Sequence, residues 1–419
     1  MGDSYYRVST ANLYDGTVRN LQARQKSLAS LQENLSTGKR VVRPSDDPVA
    51  AAQAERALTR LSRLQSEQRQ LEVQRANVAQ AESTLGDAID LVQQIRETVV
   101  AAGGGTLTQV DRQTYASQLQ SLQDQLKDVI NRKDANGVPL LGALGSALEP
   151  FAGPLAGSPD YLYNGLAGQA SSTGDAVASR LDGHAALMFD PVRDGVYGAT
   201  LVRGDPSSSL LSSAIQTSHL QTLDGASYAL QVTTVNTTGG TTSVDYTLTR
   251  TAHDGTVTTS TGSTAPVRDG QPMPVAISEG ADTVMQFTLE GTPAIGDTLT
   301  LAPSTSLMGS VQDAIRGIAG AGDSAAAAQV TNQALAQIDA GLQRLSSVRG
   351  YAGELLNRVD RISGAQEQRS IQLEADRSRA EDLDMVQGLS DFQNASVAYE
   401  AALKSYAQVQ RLSLFDYLG

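Results

Sequence analysis

Near each end of the chain, one helical edge repeats at alternating steps of three and four. Tyr14, Thr17, Leu21, Arg24, Leu28, Leu31 and Leu35 form one series; Met385, Leu389, Phe392, Ser396, Tyr399, Leu403 and Tyr406 form the other. That spacing keeps one seam of a helix turned toward a neighbouring helix, as in a coiled coil. Polar residues interrupt both seams, and neither can be buried by its own helix. The first pattern predicts a helix over about 13–35, closed at Ser36-Thr37-Gly38, where glycine supplies the left-handed residue past a helix end. Lys39 and Arg40 follow it, where the helix dipole favours cations. Asp46 belongs to the connector, Asp47 reads as an N-cap, and Pro48 suits the first turn of a new helix.

The second helix is long. Leu64, Leu71, Val78, Leu85, Val92 and Val99 recur every seven residues, joined in the later half by Ala81, Ala88, Ile95 and Ala102. At 1.5 Å per residue this is a rod of about 80 Å. Gly103-Gly104-Gly105 breaks it, and 107–132 reads as a helix returning along it. From Asp134 glycine and proline become dense, and 170–303 shows short alternating runs such as Tyr228-Ala229-Leu230-Gln231-Val232, the signature of strands. Asp254-Gly255 reads as a two-residue hairpin turn. Helical spacing resumes near Leu307 and runs through Leu335, Ile338, Leu342, Leu345, Ala352, Leu356 and Val359. The terminal seam falls out of phase with it, which places a bend or a change of packing partner within 374–384.

Helices, then strands, then helices of matching character imply an α+β fold: a long antiparallel helical rod or coiled coil formed by both chain ends, with an inserted all-β domain. The expected divisions are a terminal coiled-coil segment at 1–45, a first rod part at 46–140, the β domain at 141–305, a second rod part at 306–375 and a terminal coiled-coil segment at 376–419. The middle seams can pack on each other within one chain. The terminal ones are cut off from the rod and should order only when neighbouring subunits complete them.

Composition supports an assembling part more than an enzyme. A net charge of −13 repels nucleic-acid phosphates, and only 4% of residues are aromatic, which suits helices packed through Leu, Val and Ala. With no cysteine, neither disulfides nor thiolate chemistry is available. Neither a cleavable-signal core nor a stretch able to cross a membrane is evident. His184, His219 and His253 lie too far apart for metal-ligand spacing. Asp182, Asp194, Asp224, Asp254 and Asp269 each precede glycine, a pairing that marks turns, and Asp134-Ala135-Asn136-Gly137 lacks the later ligands of a calcium loop. No catalytic residue, cofactor or metal is expected. The rival of another class is an exported glycan-binding protein or hydrolase with its site in the β domain.

Leu35-Ser36-Thr37-Gly38-Lys39-Arg40, Pro44-Ser45-Asp46-Asp47-Pro48-Val49-Ala50, Glu381-Asp382-Leu383-Asp384 and the ending Leu412-Ser413-Leu414-Phe415-Asp416-Tyr417-Leu418 resemble the two terminal signatures of the bacterial flagellin superfamily. Pro48-Val49 and Phe415-Asp416-Tyr417-Leu418 favour its hook–filament junction branch over filament flagellin, the close rival. The resemblance implies an extracellular structural subunit, exported through the flagellar type III pathway without signal cleavage. It would sit in a ring of its own copies between hook-associated protein 1 and flagellin, and a cytosolic export chaperone would cover its C-terminal helix beforehand. Nucleic-acid binding and membrane insertion are not implied. The assembly interface expected from seam and resemblance together comprises Leu21, Leu28, Leu31, Leu35, Met385, Leu389, Phe392, Tyr399, Leu403, Tyr406, Leu412, Leu414, Phe415 and Leu418, with Gly38, Asp46, Asp47 and Pro48 as its cap and turn.

Overall fold

The computed structural model describes residues 4–156, 160–168 and 177–418, with side chains described from 15 to 408 within those ranges. Three helices come first: α1 (Ser4–Thr37), α2 (Pro48–Ala102) and α3 (Gln109–Ile130). Short elements follow, namely β1 (Phe151–Ala152), β2 (Leu162–Tyr163), α4 (Gly183–Leu187) and α5 (Pro191–Asp194). Next are β3 (Tyr197–Val202), β4 (Leu211–Ser212), β5 (Gln216–Thr217), α6 (Leu220–Leu223), β6 (Ser227–Thr238), β7 (Thr241–Thr251) and β8 (Val257–Ser263). The chain then forms β9 (Val267–Arg268), β10 (Met273–Glu279), β11 (Asp282–Glu290) and β12 (Thr298–Pro303), and closes with α7 (Leu307–Gly320), α8 (Ser324–Glu381) and α9 (Met385–Leu418). It divides into two compact units, 1–70 with 362–419 and 71–361.

In the 71–361 unit the heptad positions form the helical core. Val78, Leu85, Val92, Ile95 and Val99 of α2 are fully buried, as are Leu119 and Leu126 of α3 and Ile338 and Leu345 of α8. Ion pairs flank this core and set the helix directions. Arg96 to Asp339 (2.7 Å), Glu82 to Arg349 (2.6 Å) and Arg75 to Asp360 (3.4 Å) run α2 antiparallel to α8, and Asp87 with Arg132 ties α2 to the returning α3. The start of α3 is a capping box: Thr108 accepts from the Asp111 amide, and the Asp111 carboxylate accepts from Thr108.

Besides the short β1-β2 pair, the described residues of the β region in the same unit form two larger sheets. One has the order β3-β12-β6-β7-β8, with β9 also on β7; the other has the order β10-β11-β4, with β5 also on β11. A single core lies between them, with Tyr228, Leu230, Val244 and Leu301 from the first sheet meeting Val275, Ile277, Met285 and Phe287 from the second. Between β6 and β7, Gly239 and Gly240 both take positive φ, as a two-residue hairpin with the twist of its strands requires. The Asp254-Gly255 turn differs from the two-residue expectation. Ala252 N–H donates to the Thr256 carbonyl at 2.9 Å, so the loop has three residues, His253 to Gly255, and Gly255 takes the positive φ. Asp254 Oδ1 accepts from the Thr256 amide and favours this longer loop.

Candidate assembly interface

The 1–70 and 362–419 unit is organised around a clasp between two breaks in the helices. Gly38 takes φ +69°, ending α1 as its sequence position predicts. Arg40 and Val41 amides donate to the Glu381 carbonyl at 2.8 and 3.3 Å, and the Leu383 amide donates to the Gly38 carbonyl at 2.9 Å. These bonds make a short antiparallel bridge at Lys39 and Asp382. Arg40 reaches over it, donating through Nη2 to the Ala380 carbonyl at 2.9 Å and pairing with Asp47 at 3.2 Å, while Lys39 pairs with Glu381. The break at 382–384 lies in the segment where the two C-terminal registers fall out of phase. Asp384 caps the helix beyond it, accepting from the amides of Val386 and Gln387.

The cap and turn residues cluster on the other side of the clasp. Asp46 Oδ2 accepts from the amides of Val42 and Arg43, closing the connector. Asp47 Oδ1 accepts from Val49 and Ala50 at 3.1 and 3.0 Å, and Pro48 opens α2. The Ala50 amide first, and the Arg40 guanidinium next, hold the Asp47 carboxyl below the usual carboxylate range. A carboxyl depressed in the folded state adds stability above its ordinary value of 3.8 and loses it as pH falls through the depressed value. Asp47→Asn, which keeps an acceptor but does not titrate, should therefore flatten the acid limb of a denaturant-midpoint series below about pH 4. An unchanged slope would show that Asp47 does not couple to folding.

From this clasp α1 and α9 leave together and pack side by side. Thr17, Leu21, Leu28, Leu31 and Leu35 of α1 are half-buried, and so are Phe392, Ser396, Tyr399 and Tyr406 of α9. The α9 seam differs from its expected composition at three positions. Met385, Leu389 and Leu403 are 52%, 51% and 42% exposed, while Ala395, Ala398 and Ala402 occupy the inner face. Small alanines let a helix approach closely, so the inner edge runs Phe392, Ala395, Tyr399, Ala402 and Tyr406. A second apolar edge, with Val386 and Val397, faces outward. Arg24 of the N-terminal series is exposed. The side chains of Tyr14, Leu412, Leu414, Phe415 and Leu418 lie outside the described residues.

Despite this packing, no described side chain from 15 to 40 or from 389 to 408 is buried. A two-helix layer has one shared face, and these residues get no more than partial cover from it. By contrast Val41, Ala50, Ala54, Ala57, Leu61 and Leu64, directly past the clasp, are all below 8% exposed. A groove of about 580 Å³ runs beside the clasp, with Arg40, Arg56, Arg60 and Arg379 against Asp47 and Asp376.

The polar candidates of the β region serve local structure. Asp182 accepts from the amides of His184 and Ala185, Asp194 pairs with Arg193 and Arg344, and Asp269 Oδ1 accepts from the Thr242 hydroxyl. Asp134 closes a tight turn by accepting from the amides of Asn136 and Val138. Among the described residues no three His, Asp or Glu side chains converge as a metal site. Sequence reasoning missed the clasp itself, whose bonds are between backbone groups more than 300 residues apart, and the buried amides Gln329, Gln333 and Gln337 on α8. The spacing of these three, four residues apart on an otherwise alanine-rich face, was the available signal.

Residues 8–144 match the bacterial flagellin N-terminal helical region. The flagellar hook-associated protein 3 of Escherichia coli K12 is 31% identical over 229 residues, spanning 54% of this chain and 67% of the relative. The chain belongs to the flagellar hook-associated protein 3 family. The Salmonella typhimurium LT2 member is 36% identical over 149 residues, 35% of this chain and 46% of that protein. The crystal structure of hook-associated protein 3 from Legionella pneumophila has the same fold, with a TM-score of 0.59 and 22% identity over 77% of this chain and 97% of that one. Filament flagellins are the more distant match: the phase 1 flagellin of Salmonella naestved is 28% identical over 134 residues, 32% of this chain and 26% of its own length. Membership of this family makes the chain a structural protein of the bacterial flagellum. No helix among the described residues is long and apolar enough to cross a membrane.

Proposed function

We propose that the chain performs its function, that of a structural subunit of the flagellar hook–filament junction, through the unfinished α1/α9 layer. The observation that carries this reading is the absence of any buried described side chain from 15 to 40 and from 389 to 408 in two helices that already pack together. Apolar edges left half-covered gain cover only from other chains, and association then supplies the missing burial. The inner edge of α9 meets α1, and the outer edge through Met385, Leu389 and Leu403 meets a neighbour. The terminal segments 1–45 and 376–419 are the polymerising parts.

The partners that fit are copies of the same chain in a ring, hook-associated protein 1 on one side and flagellin on the other. A cytosolic export chaperone would cover the α9 edge before export, which would proceed without a cleaved signal to the extracellular flagellum. The role is non-enzymatic. Electron microscopy of flagella labelled with antibody against residues 177–303 is the test. A single band at the hook end is expected; label along the whole shaft would make the chain a filament flagellin.

A further inference from the structure

The larger sheet of the β region ends in two open edges, β3 and β8. Exposed strand edges usually carry lysine, proline or a bulge that discourages further pairing. Neither edge has such a device: β3 reads Tyr-Gly-Ala-Thr-Leu-Val and β8 reads Val-Thr-Thr-Ser-Thr-Gly-Ser.

The β3 edge faces a groove of about 440 Å³ closed on its far side by α7 and α8. The register shows which backbone groups point into it. Ser304 N–H donates to the Val196 carbonyl at 2.9 Å, so the bonded pairs continue at Gly198 with Ala302 and at Thr200 with Thr300. Tyr197, Ala199 and Leu201 therefore turn their backbone groups outward. The Tyr197 carbonyl is taken by Gln337 Nε2 at 3.3 Å. The backbone groups of Ala199 and Leu201 have no other partner among the described residues. Across the groove, Gln333 is 5% exposed and its Oε1 has no hydrogen-bond partner. Its amide nitrogen is held by the Ser213 carbonyl at 2.7 Å, which fixes the direction of the free oxygen. Ala314, Gly317, Ala326 and Ala334 keep part of the remaining wall small, and its two charged residues, Arg203 and Asp313, are already paired with Asp323 and Arg316.

An open strand edge, an unpartnered buried acceptor and small walls suit an uncharged, extended segment with hydroxyl side chains. Such a segment adds as a further strand and donates to Gln333. The other free edge of the same sheet has this chemistry. Every residue of β8 except Gly262 is exposed, and five of its seven residues are Thr or Ser. We propose that β8 of a second copy of this chain docks antiparallel on β3, lining the groove and joining copies head to tail. Two different surfaces then meet at each contact, the arrangement that forms a ring when the rotation between copies closes and an open filament when it does not. The contact belongs to the β region of the isolated chain, so it stands or falls separately from the α1/α9 layer.

A labelled synthetic peptide of residues 256–263 tests the pairing on the purified full-length chain. Saturable binding is expected, with amide shifts at Ala199 and Leu201, and Ala199→Pro should weaken it at least about ten-fold by deleting an edge N–H. The chain has no cysteine, so Ala199→Cys and Thr259→Cys chains can be mixed and oxidised without background. Adjacent strands bring paired Cα atoms to about 4.5–5.5 Å, within disulfide reach. The expected product is a dimer formed only in the mixture and suppressed by excess peptide. The cysteine pair leaves both backbones intact, so it decides the matter even if Ala199→Pro melts early. No saturable binding and no mixed dimer, or dimers of Thr259→Cys with itself alone, would overturn the proposal.

Discussion

Leu403→Asp is expected to abolish incorporation into flagella while shifting the stability of the isolated chain by no more than about 0.5 kcal/mol. Leu403 is 42% exposed on the outer edge of α9, so in the free chain the new carboxylate remains hydrated. In the proposed interface the same position lies against a neighbouring helix. Burying an unpaired charge there costs several kcal/mol per contact unless the helices separate. In the proposed ring the contact repeats at every copy, so the cost would fall on each addition. Counting junction bands on flagella from cells expressing the variant, alongside a denaturant melt of the purified protein, checks both halves. Normal junctions would remove the outer edge of α9 from the interface.

Leu85→Ala should behave in the opposite way. Leu85 is fully buried in the 71–361 unit, beside Val78, Val92 and Ile95 on the heptad face of α2. Removing its side chain there costs about 2–5 kcal/mol, the transfer term plus the cavity left behind. Its expected signature is a lowered denaturant midpoint in the free chain, with incorporation falling only in proportion to the folded fraction. A midpoint unchanged from the parent would mean that this core is not packed as described. The two variants thus separate residues that hold the subunit together from residues that hold subunits to one another.

The contrast also marks what was legible beforehand. Helix ends were readable because caps are local chemistry: Gly38, Asp47 and Pro48 act within a few residues of themselves. The heptad face of α2 was readable because seven-residue spacing survives any choice of partner. The inner edge of α9 was harder, since Phe392, Ser396, Tyr399 and Tyr406 fit two phases that differ by one residue. Whether Ala402 or Leu403 faces α1 depends on how closely the helices approach, which alternating steps of three and four do not specify. The order of the larger sheet was not legible either. It places β12 between β3 and β6, and the three are separated in the chain by other strands. The clasp was hidden for the same reason, its bonds joining Gly38 and Arg40 to residues near 381 through backbone atoms common to every amino acid.

Hydrogen exchange on the purified full-length chain, followed before and after assembly, addresses the unfinished terminal layer most directly. In the free chain, amides across 15–35 and 389–408 are expected to exchange rapidly while 78–99 stays protected, because only the latter lies over a closed core. On incorporation into flagella the terminal amides should become as slow as those of α2. Strong protection of both ends in the dilute, solitary chain would contradict the account, since it would show helices already complete without a neighbour.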